Sequence, residues 1–310
     1  MKVFVAGANG AIGRPLVPRL VAAGHEVTGT TRSERSAEAI QAAGATPAIV
    51  DALDADTLRE AVERAAPEVV VHELTALPER FNPRKRDLYD ATNRIRREGT
   101  RNLLDAARAA GARRFVCQSV AFAYAPAAAP EVMDEQAPLY LEAPPPFAEG
   151  TRVIAEMERA VLDADLDGLV LRYGWFYGPG TYYGEGGSMA ADVRKRRFPV
   201  VGSGSGLFSF VHTDDAADAT VAAVERGAPG VYNVVDDEPA TLRDWVPAYA
   251  EAIGAPPPRR VPVWLARLVA GKMVDSMSVQ PGASNAKAKR ELGWEPRWRS
   301  WREGFRAAPR

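Results

Sequence analysis

Between positions 7 and 13 the chain reads Gly7-Ala8-Asn9-Gly10-Ala11-Ile12-Gly13, three glycines at even spacing directly after the apolar run Val3 to Ala6. Glycine is needed where a chain turns sharply, where backbone must approach a pyrophosphate, and where a helix packs hard on the preceding strand. The helix N-terminus then offers free amides and the positive end of a dipole. With a strand before it and a helix after it, this spacing predicts a dinucleotide cradle made by Gly7, Asn9, Gly10, Ala11, Ile12 and Gly13. The bland alternative is a tight turn without a ligand. The second apolar run ends in Thr30-Thr31-Arg32-Ser33, and no carboxylate stands there to bind an adenosine ribose, since Glu26 lies at its start. A guanidinium pairs well with phosphate, so Arg32, with Ser33 beside it, is placed for a 2′-phosphate. NADP(H) is the expected cofactor and NAD(H) the alternative. Asp51 is placed either to accept the adenine amino group or, like Asp54, to cap a helix.

These residues need elements to hold them. Short apolar runs, Val27 to Thr30, Ala48 to Val50, Val69 to Val71, Phe115-Val116 and Leu169 to Leu171, alternate with stretches of helical period. Apolar runs that do not alternate with polar residues fit strands buried on both faces, so the pattern predicts a doubly wound parallel α/β sheet of the Rossmann type. Residues 1–175 are assigned to it. Residues 176–310, richer in glycine and aromatics, are assigned mainly to a smaller C-terminal α/β lobe that binds substrate, with some segments returning to the first domain. Residues 78–86 and 125–146 are expected to be loops.

Composition narrows the partners. The 310 residues carry 39 Lys+Arg against 40 Asp+Glu, a balance that argues against nucleic acid or a membrane surface. The one cysteine, Cys117, excludes an internal disulfide, and no His, Cys or Asp spacing supports a metal site. No segment has the length of an apolar membrane span or signal core. A cytoplasmic protein with a small-molecule substrate is expected.

The glycine turn, Val71-His72, Gly99-Thr100-Arg101-Asn102-Leu103-Leu104, Leu171 to Gly180 with Tyr177-Gly178-Pro179, Phe210-Val211-His212, Val231-Tyr232-Asn233-Val234 and Leu292-Gly293-Trp294 follow one another in order. In this the chain resembles the extended short-chain dehydrogenase/reductase superfamily, the NAD-dependent epimerase/dehydratase proteins. The resemblance implies a homodimer packed through two long helices per subunit. It also implies cofactor contacts at Ala52, Leu74, Thr75, Gln118, Arg152, Tyr173 and Phe176. The catalytic set it implies is a Ser or Thr, a Tyr, and a Lys four residues after the Tyr that makes a phenolate accessible.

Here the sequence departs from the family. Aligned on Glu156, the Tyr position falls on Ala148 and the Lys position on Arg152, while Val120 takes the usual Ser/Thr position and Ser119 stands one residue earlier. Neither a methyl group nor a guanidinium donates a proton at neutral pH. Tyr124 and Tyr173 are the candidate replacement donors, and Ser119 the candidate that orients substrate; for each tyrosine, packing is the competing role. Arg152 either holds the nicotinamide ribose or pairs with Glu149 or Glu156. His72 and His212 read as scaffold, and Asp214 and Asp215 as helix caps.

Relatives that act on nucleotide sugars carry an Arg where this chain has Phe208, and an aromatic ring cannot clamp a diphosphate. Val120, Ala148, Trp175, Tyr183 and Phe208 are the candidate substrate contacts, an apolar and aromatic set. The sequence thus predicts an atypical NAD(P)-dependent oxidoreductase, moving hydride to or from an apolar carbonyl, alcohol or enone. The alternatives are a nucleotide-sugar epimerase or dehydratase, and a non-catalytic NADP(H) sensor.

Overall fold

The structure, a computed structural model, describes residues 1–78, 80, 87–126, 131–144, 147–271 and 273–307. Strands β1 (Lys2–Ala6), β2 (Glu26–Thr31), β3 (Thr46–Ile49), β4 (Val69–His72) and β5 (Arg114–Val120) alternate with helices α1 (Gly13–Ala22), α2 (Glu34–Ala42), α3 (Ala55–Ala65), α4 (Asp90–Arg94) and α5 (Thr100–Ala109). A single π turn, Ile95–Gly99, joins α4 to α5. The chain continues through β6 (Val132–Met133), α6 (Phe147–Leu162), β7 (Asp167–Tyr173), β8 (Trp175–Tyr177), α7 (Ser188–Arg194) and β9 (Val200–Val201). Then follow β10 (Leu207–Phe208), β11 (Phe210–His212), α8 (Thr213–Glu225), β12 (Gly230–Val234), β13 (Ala240–Thr241) and α9 (Leu242–Ala252).

Seven strands form one parallel sheet in the order β12-β7-β5-β4-β1-β2-β3. Both of its faces are apolar, as the unbroken runs require. Val3, Val5 and Val71 pack toward α1 and α8, whereas Phe4, Ala6, Val70 and Phe115 pack toward Leu103, Leu104 and Met157. The order reverses between β1 and β4, so the loops leaving their C-terminal ends part to opposite faces and open a crevice. Two later segments join this unit: α8 lies beside α1, and β12 pairs with β7 from Gly230 opposite Leu169 to Val234 opposite Tyr173.

The remaining elements build a second, aromatic core. Strand β8 pairs in parallel with β11, and β10 pairs antiparallel with β13. At the centre, the fully buried Trp245 of α9 has the rings of Tyr183, Phe198, Phe208 and Phe210 at 5.4–5.7 Å. Of the expected loop at 78–86, only Pro78 and Arg80 lie within the described residues, and positions 127–130, 145 and 146 of the loop at 125–146 lie outside them. Within that second stretch, β6 pairs with Gly282–Ala283.

Because so many rings meet on Trp245, Trp245→Ala should cost about 3–5 kcal/mol of stability, seen as a lowered urea midpoint. An unchanged midpoint would mean that the lobe does not unfold with the sheet.

Candidate active site

The crevice between β1 and β4 is a groove of about 570 Å³ lined by Gly7, Asn9, Gly10, Thr30 to Ser33, Val50 to Ala52, Glu73 to Thr75 and Ile95, among others. Gly7 has φ +99, and a Cβ on it would stand 2.9 Å from the backbone carbonyl of Glu73. A Cβ on Gly13 would come 2.2 Å from the Gly7 carbonyl oxygen, so α1 can start this close only with glycine there. The Gly10 amide closes the turn on Gly7 O at 3.0 Å, and the Gly7 amide donates to Thr30 Oγ1 at 3.0 Å. No side chain caps α1; the Arg14 amide goes to the Gly10 carbonyl at 3.1 Å and Pro15 has none, so the amides left for an anion are those of Ala11, Ile12 and Gly13. The spacing and the helix start fit the pyrophosphate of a dinucleotide.

The expected adenosine end carries cations. Arg32 is exposed, and no described side chain pairs with it; Arg14, Arg35 and Ser36 line an adjoining hollow of about 460 Å³ between α1 and α2. Ser33 caps α2 by accepting from the Ser36 amide at 3.4 Å. Asp51 accepts from the Leu53 amide at 3.0 Å and lines the groove, while Asp54 caps α3. Gln118 donates to the Leu74 carbonyl at 2.8 Å and so fixes one wall. Asn102 holds the Ala52 carbonyl at 3.0 Å.

The polar groups expected to move a proton, Ser119, Tyr124 and Tyr173, lie in the interior, each hydrogen-bonded to another buried side chain. Ser119 is buried and donates to Glu158 Oε1 at 2.6 Å. Arg172 grips both oxygens of Glu158, at 2.9 and 2.6 Å, and donates to the Tyr124 hydroxyl at 2.9 Å. Tyr124, 2% exposed, donates in turn to Asn233 Oδ1 at 2.7 Å. Burial raises the pKa of this phenol, although Arg172 and Asn233 offset part of the effect. Tyr173, fully buried, donates to Glu73 Oε1 at 3.0 Å and shares a 2.7 Å hydrogen bond with Thr220. Burial and the adjacent Glu73 push its pKa well up. These hydroxyls are tied into the interior and none faces the groove with a free proton.

Arg152 is exposed and stands 4.0 Å from Glu142; Arg97 takes Glu149 and Glu156 instead, at 3.3 and 3.1 Å. Ala148 lies half-buried in the first turn of α6, and Val120 half-buried at the end of β5. Phe208 and Tyr183, expected as substrate contacts, belong to the lobe core at 2% and 7% exposure. Trp175 is half-buried and stacks on Phe122, with centroids 4.1 Å apart and rings 18° from parallel. Half-buried Phe176 packs against Tyr173 at 5.3 Å. The cap of α8 is His212, whose Nδ1 accepts from the Asp214 amide; Asp214 pairs with Arg19, and Asp215 accepts from the Arg297 and Trp298 amides.

Sequence reasoning missed Glu73. It follows a fully buried strand and has one carboxylate oxygen that is buried without a partner, and burial pushes its pKa up to about 8. Its signal was available: an acid directly after Val69-Val70-Val71-His72, where another apolar residue would continue the run. Phe122 and Glu158 were also missed. Among the described residues no His, Cys, Asp and Glu side chains gather as a metal cluster, and no helix is long and apolar enough to cross a membrane.

A parallel seven-stranded sheet with a glycine-turned groove at its switch point and a small lobe beyond it defines an NAD(P)-dependent oxidoreductase of the short-chain dehydrogenase/reductase type. Residues 3–234 match the NAD dependent epimerase/dehydratase family, and the chain belongs to it. It is 48% identical over 308 residues to a 3-diazoavenalumate denitrifying reductase from a Streptomyces species, covering 98% of this chain and 99% of that protein. A UDP-glucose 4-epimerase of Mycolicibacterium smegmatis is 30% identical, with 96% of this chain and 94% of that one covered. Among solved structures, human epimerase family protein SDR39U1 (isoform 2) with NADPH superposes at a TM-score of 0.71 and 22% identity, covering 99% of this chain and 97% of the other. These likenesses account for the fold and a nicotinamide cofactor.

The folded Glu73 carboxyl holds its proton up to about pH 8, whereas its ordinary pKa is 4.5. Its contribution to stability is therefore full below the ordinary value and declines as pH rises toward 8. Glu73→Gln keeps an acceptor for Tyr173 but cannot ionise. Its urea midpoint should run level with that of the unaltered protein near pH 5 and exceed it increasingly up to pH 8; parallel pH curves would show Glu73 ionised throughout.

Proposed function

We propose that this protein is an NADP(H)-dependent reductase that removes a diazo group, as N2, from a largely apolar aromatic substrate. The observation that carries the reading is the composition of the reacting end of the groove. Ala148 and the exposed Arg152 occupy the family's Tyr and Lys positions, and Ser119, Tyr124 and Tyr173 have their hydroxyls spent in buried hydrogen bonds. Such a site suits a hydride acceptor that needs no proton. The bound nicotinamide would supply a hydride to the carbon bearing the diazonium, the C–N bonding pair would leave with N2, the substrate would gain two electrons and the cofactor would lose two, and no proton would be consumed. The Streptomyces relative, named for a diazo-bearing carboxylate, supports this choice of substrate.

The chain's own groups would hold the reactants. The Gly7–Gly13 turn and the open start of α1 would hold the pyrophosphate, and Arg32 the 2′-phosphate. Trp175, stacked on Phe122, offers a π face of the kind that attracts a diazonium cation. Reduction of a carbonyl, the wider expectation, would leave an alkoxide for which this site offers no proton. It remains the second reading because a Stigmatella aurantiaca relative, 30% identical over 82% of this chain, is named as a ketoreductase of an oxo-dihydroquinoline oxide. A nucleotide-sugar substrate is disfavoured by Phe208, which sits in the lobe core where relatives place a guanidinium.

Two outcomes are expected. With a benzenediazonium salt and NADPH deuterated at the transferable position, the deuterium should appear on the ring with one N2 released per NADPH oxidised, and deuterium from D2O should not. Ring deuteration from solvent, or faster turnover of benzaldehyde and enones than of the diazonium, would discard the reading. NADP(H) should bind at least several-fold more tightly than NAD(H), and Arg32→Ala should erase most of that gap. A charge-assisted contact of about 1.5–3 kcal/mol corresponds to roughly ten- to over a hundred-fold; equal calorimetric affinities for the two cofactors would remove Arg32 from the site.

A further inference from the structure

Three arginines lie close together where α4 passes into α5, and they are treated differently. Arg94 pairs with Glu98 at 2.9 Å, and Arg97 pairs with Glu156 and Glu149. Arg96 pairs with no described carboxylate. Among the described residues its one hydrogen bond is a long one, 3.4 Å, to the Asn93 side-chain oxygen. Most of the five donors of this side chain have no acceptor among the described residues.

Its surroundings are not those of a solvated surface cation. Arg96 is half-buried, and its guanidinium lies within electrostatic reach of Tyr89, buried Cys117 in the middle of β5 and buried His72 at the end of β4. Desolvation lowers its pKa without bringing it near neutrality, so the charge stays. The segment that carries it is the π turn Ile95–Gly99, and single π turns inside α-helices recur at functional sites because they re-aim side chains. Ile95, one residue earlier, lines the cofactor groove.

The aromatic neighbours belong to the same end of the groove. The Tyr89 ring is 6.4 Å from Phe147, the residue before Ala148. Tyr182 acts electrostatically on Tyr89, and its hydroxyl donates to the Pro78 carbonyl. Arg96 is thus coupled to Tyr89, whose ring in turn neighbours Phe147, the residue before Ala148. It is set apart from the glycine turn: Ala8 and Ile12 pack on one face of the sheet, whereas His72 and Cys117 lie on the face packed by α5.

We propose that Arg96 is the anchor for a carboxylate on the substrate, so that the cleft selects flat unsaturated or aromatic acids over their neutral analogues. A desolvated cation with no carboxylate partner among the described residues is matched by a full negative charge, and a planar guanidinium offers a carboxylate two parallel hydrogen bonds. Tyr89, Tyr182 and Phe147 would flank the flat body of such an acid. This rests on reading the cleft as a substrate site and adds the feature of the substrate that it grips.

Cinnamate and methyl cinnamate, which cannot be denitrogenated, test it without turnover. By calorimetry on the NADPH complex, cinnamate should bind at least ten-fold more tightly than its ester. Arg96→Gln should remove that preference, Arg96→Lys should restore part of it, and NADPH affinity should stay within two-fold in both variants. Equal binding of acid and ester by the unaltered protein overturns the proposal, even where a variant fails to fold. So does an undiminished preference in Arg96→Gln, or a parallel loss of NADPH affinity, which would make Arg96 a cofactor residue. Turnover of 4-carboxybenzenediazonium and its methyl ester is a separate arm: reduction of neither removes the diazo reading and leaves the cinnamate titration to decide the anchor.

Discussion

The salt bridge between Glu158 and Arg172 registers the reacting end of this protein. It joins α6 to β7 with both side chains only 6% exposed, and removing either partner would strand a charge in a medium that solvates it poorly, a loss of about 3–5 kcal/mol in comparable buried pairs. The pair reaches further than two elements. Ser119 on β5 donates to Glu158, and Arg172 donates to Tyr124, which donates to Asn233 on β12. The three neighbouring strands β5, β7 and β12 are thereby pinned at their C-terminal ends, where parallel sheets place their ligands. Val120, Ala148 and Trp175 are positioned by that frame.

The same network explains the chemistry left to the site. The hydroxyls of Ser119, Tyr124 and Tyr173 hold strands and helices together, and on the proposed alignment the family's Tyr and Lys positions carry a methyl group and an exposed guanidinium. The glycine turn and the helix start after it fit the binding part of an oxidoreductase. In the proposed reading aromatic rings and Arg96 stand in for the groups that would protonate an oxygen. Structures only 22–24% identical share the fold at TM-scores near 0.7, which fits a scaffold whose function lies in a few exchanged side chains.

Much of the frame was legible in the chain itself. The glycine spacing, the unbroken apolar runs and the helical periods are local features whose physical demands do not depend on distant residues. They placed β1, β2 and β4, the turn at Gly7 and the helix after it. Arg32 could be set at the end of β2 by counting alone. That some segments after residue 175 return to the first domain was legible, but which of them pack on the main sheet was not, because for α8 that depends on a partner, α1, some two hundred residues earlier.

What only the tertiary structure decided is which polar groups are already spoken for. Tyr124 is 109 positions from Asn233, and Tyr173 is 100 positions from Glu73, so no window of sequence could show that these hydroxyls were spent. The placing of Phe208 and Tyr183 in the lobe core, and of Glu73 in the interior, depends in the same way on long-range packing. Arg94, Arg96 and Arg97 look alike in the sequence; one π turn and the positions of Glu98, Glu149 and Glu156 separate two paired surface cations from the desolvated one. The charge of a residue is set by its type, whereas its availability is set by what the fold brings against it.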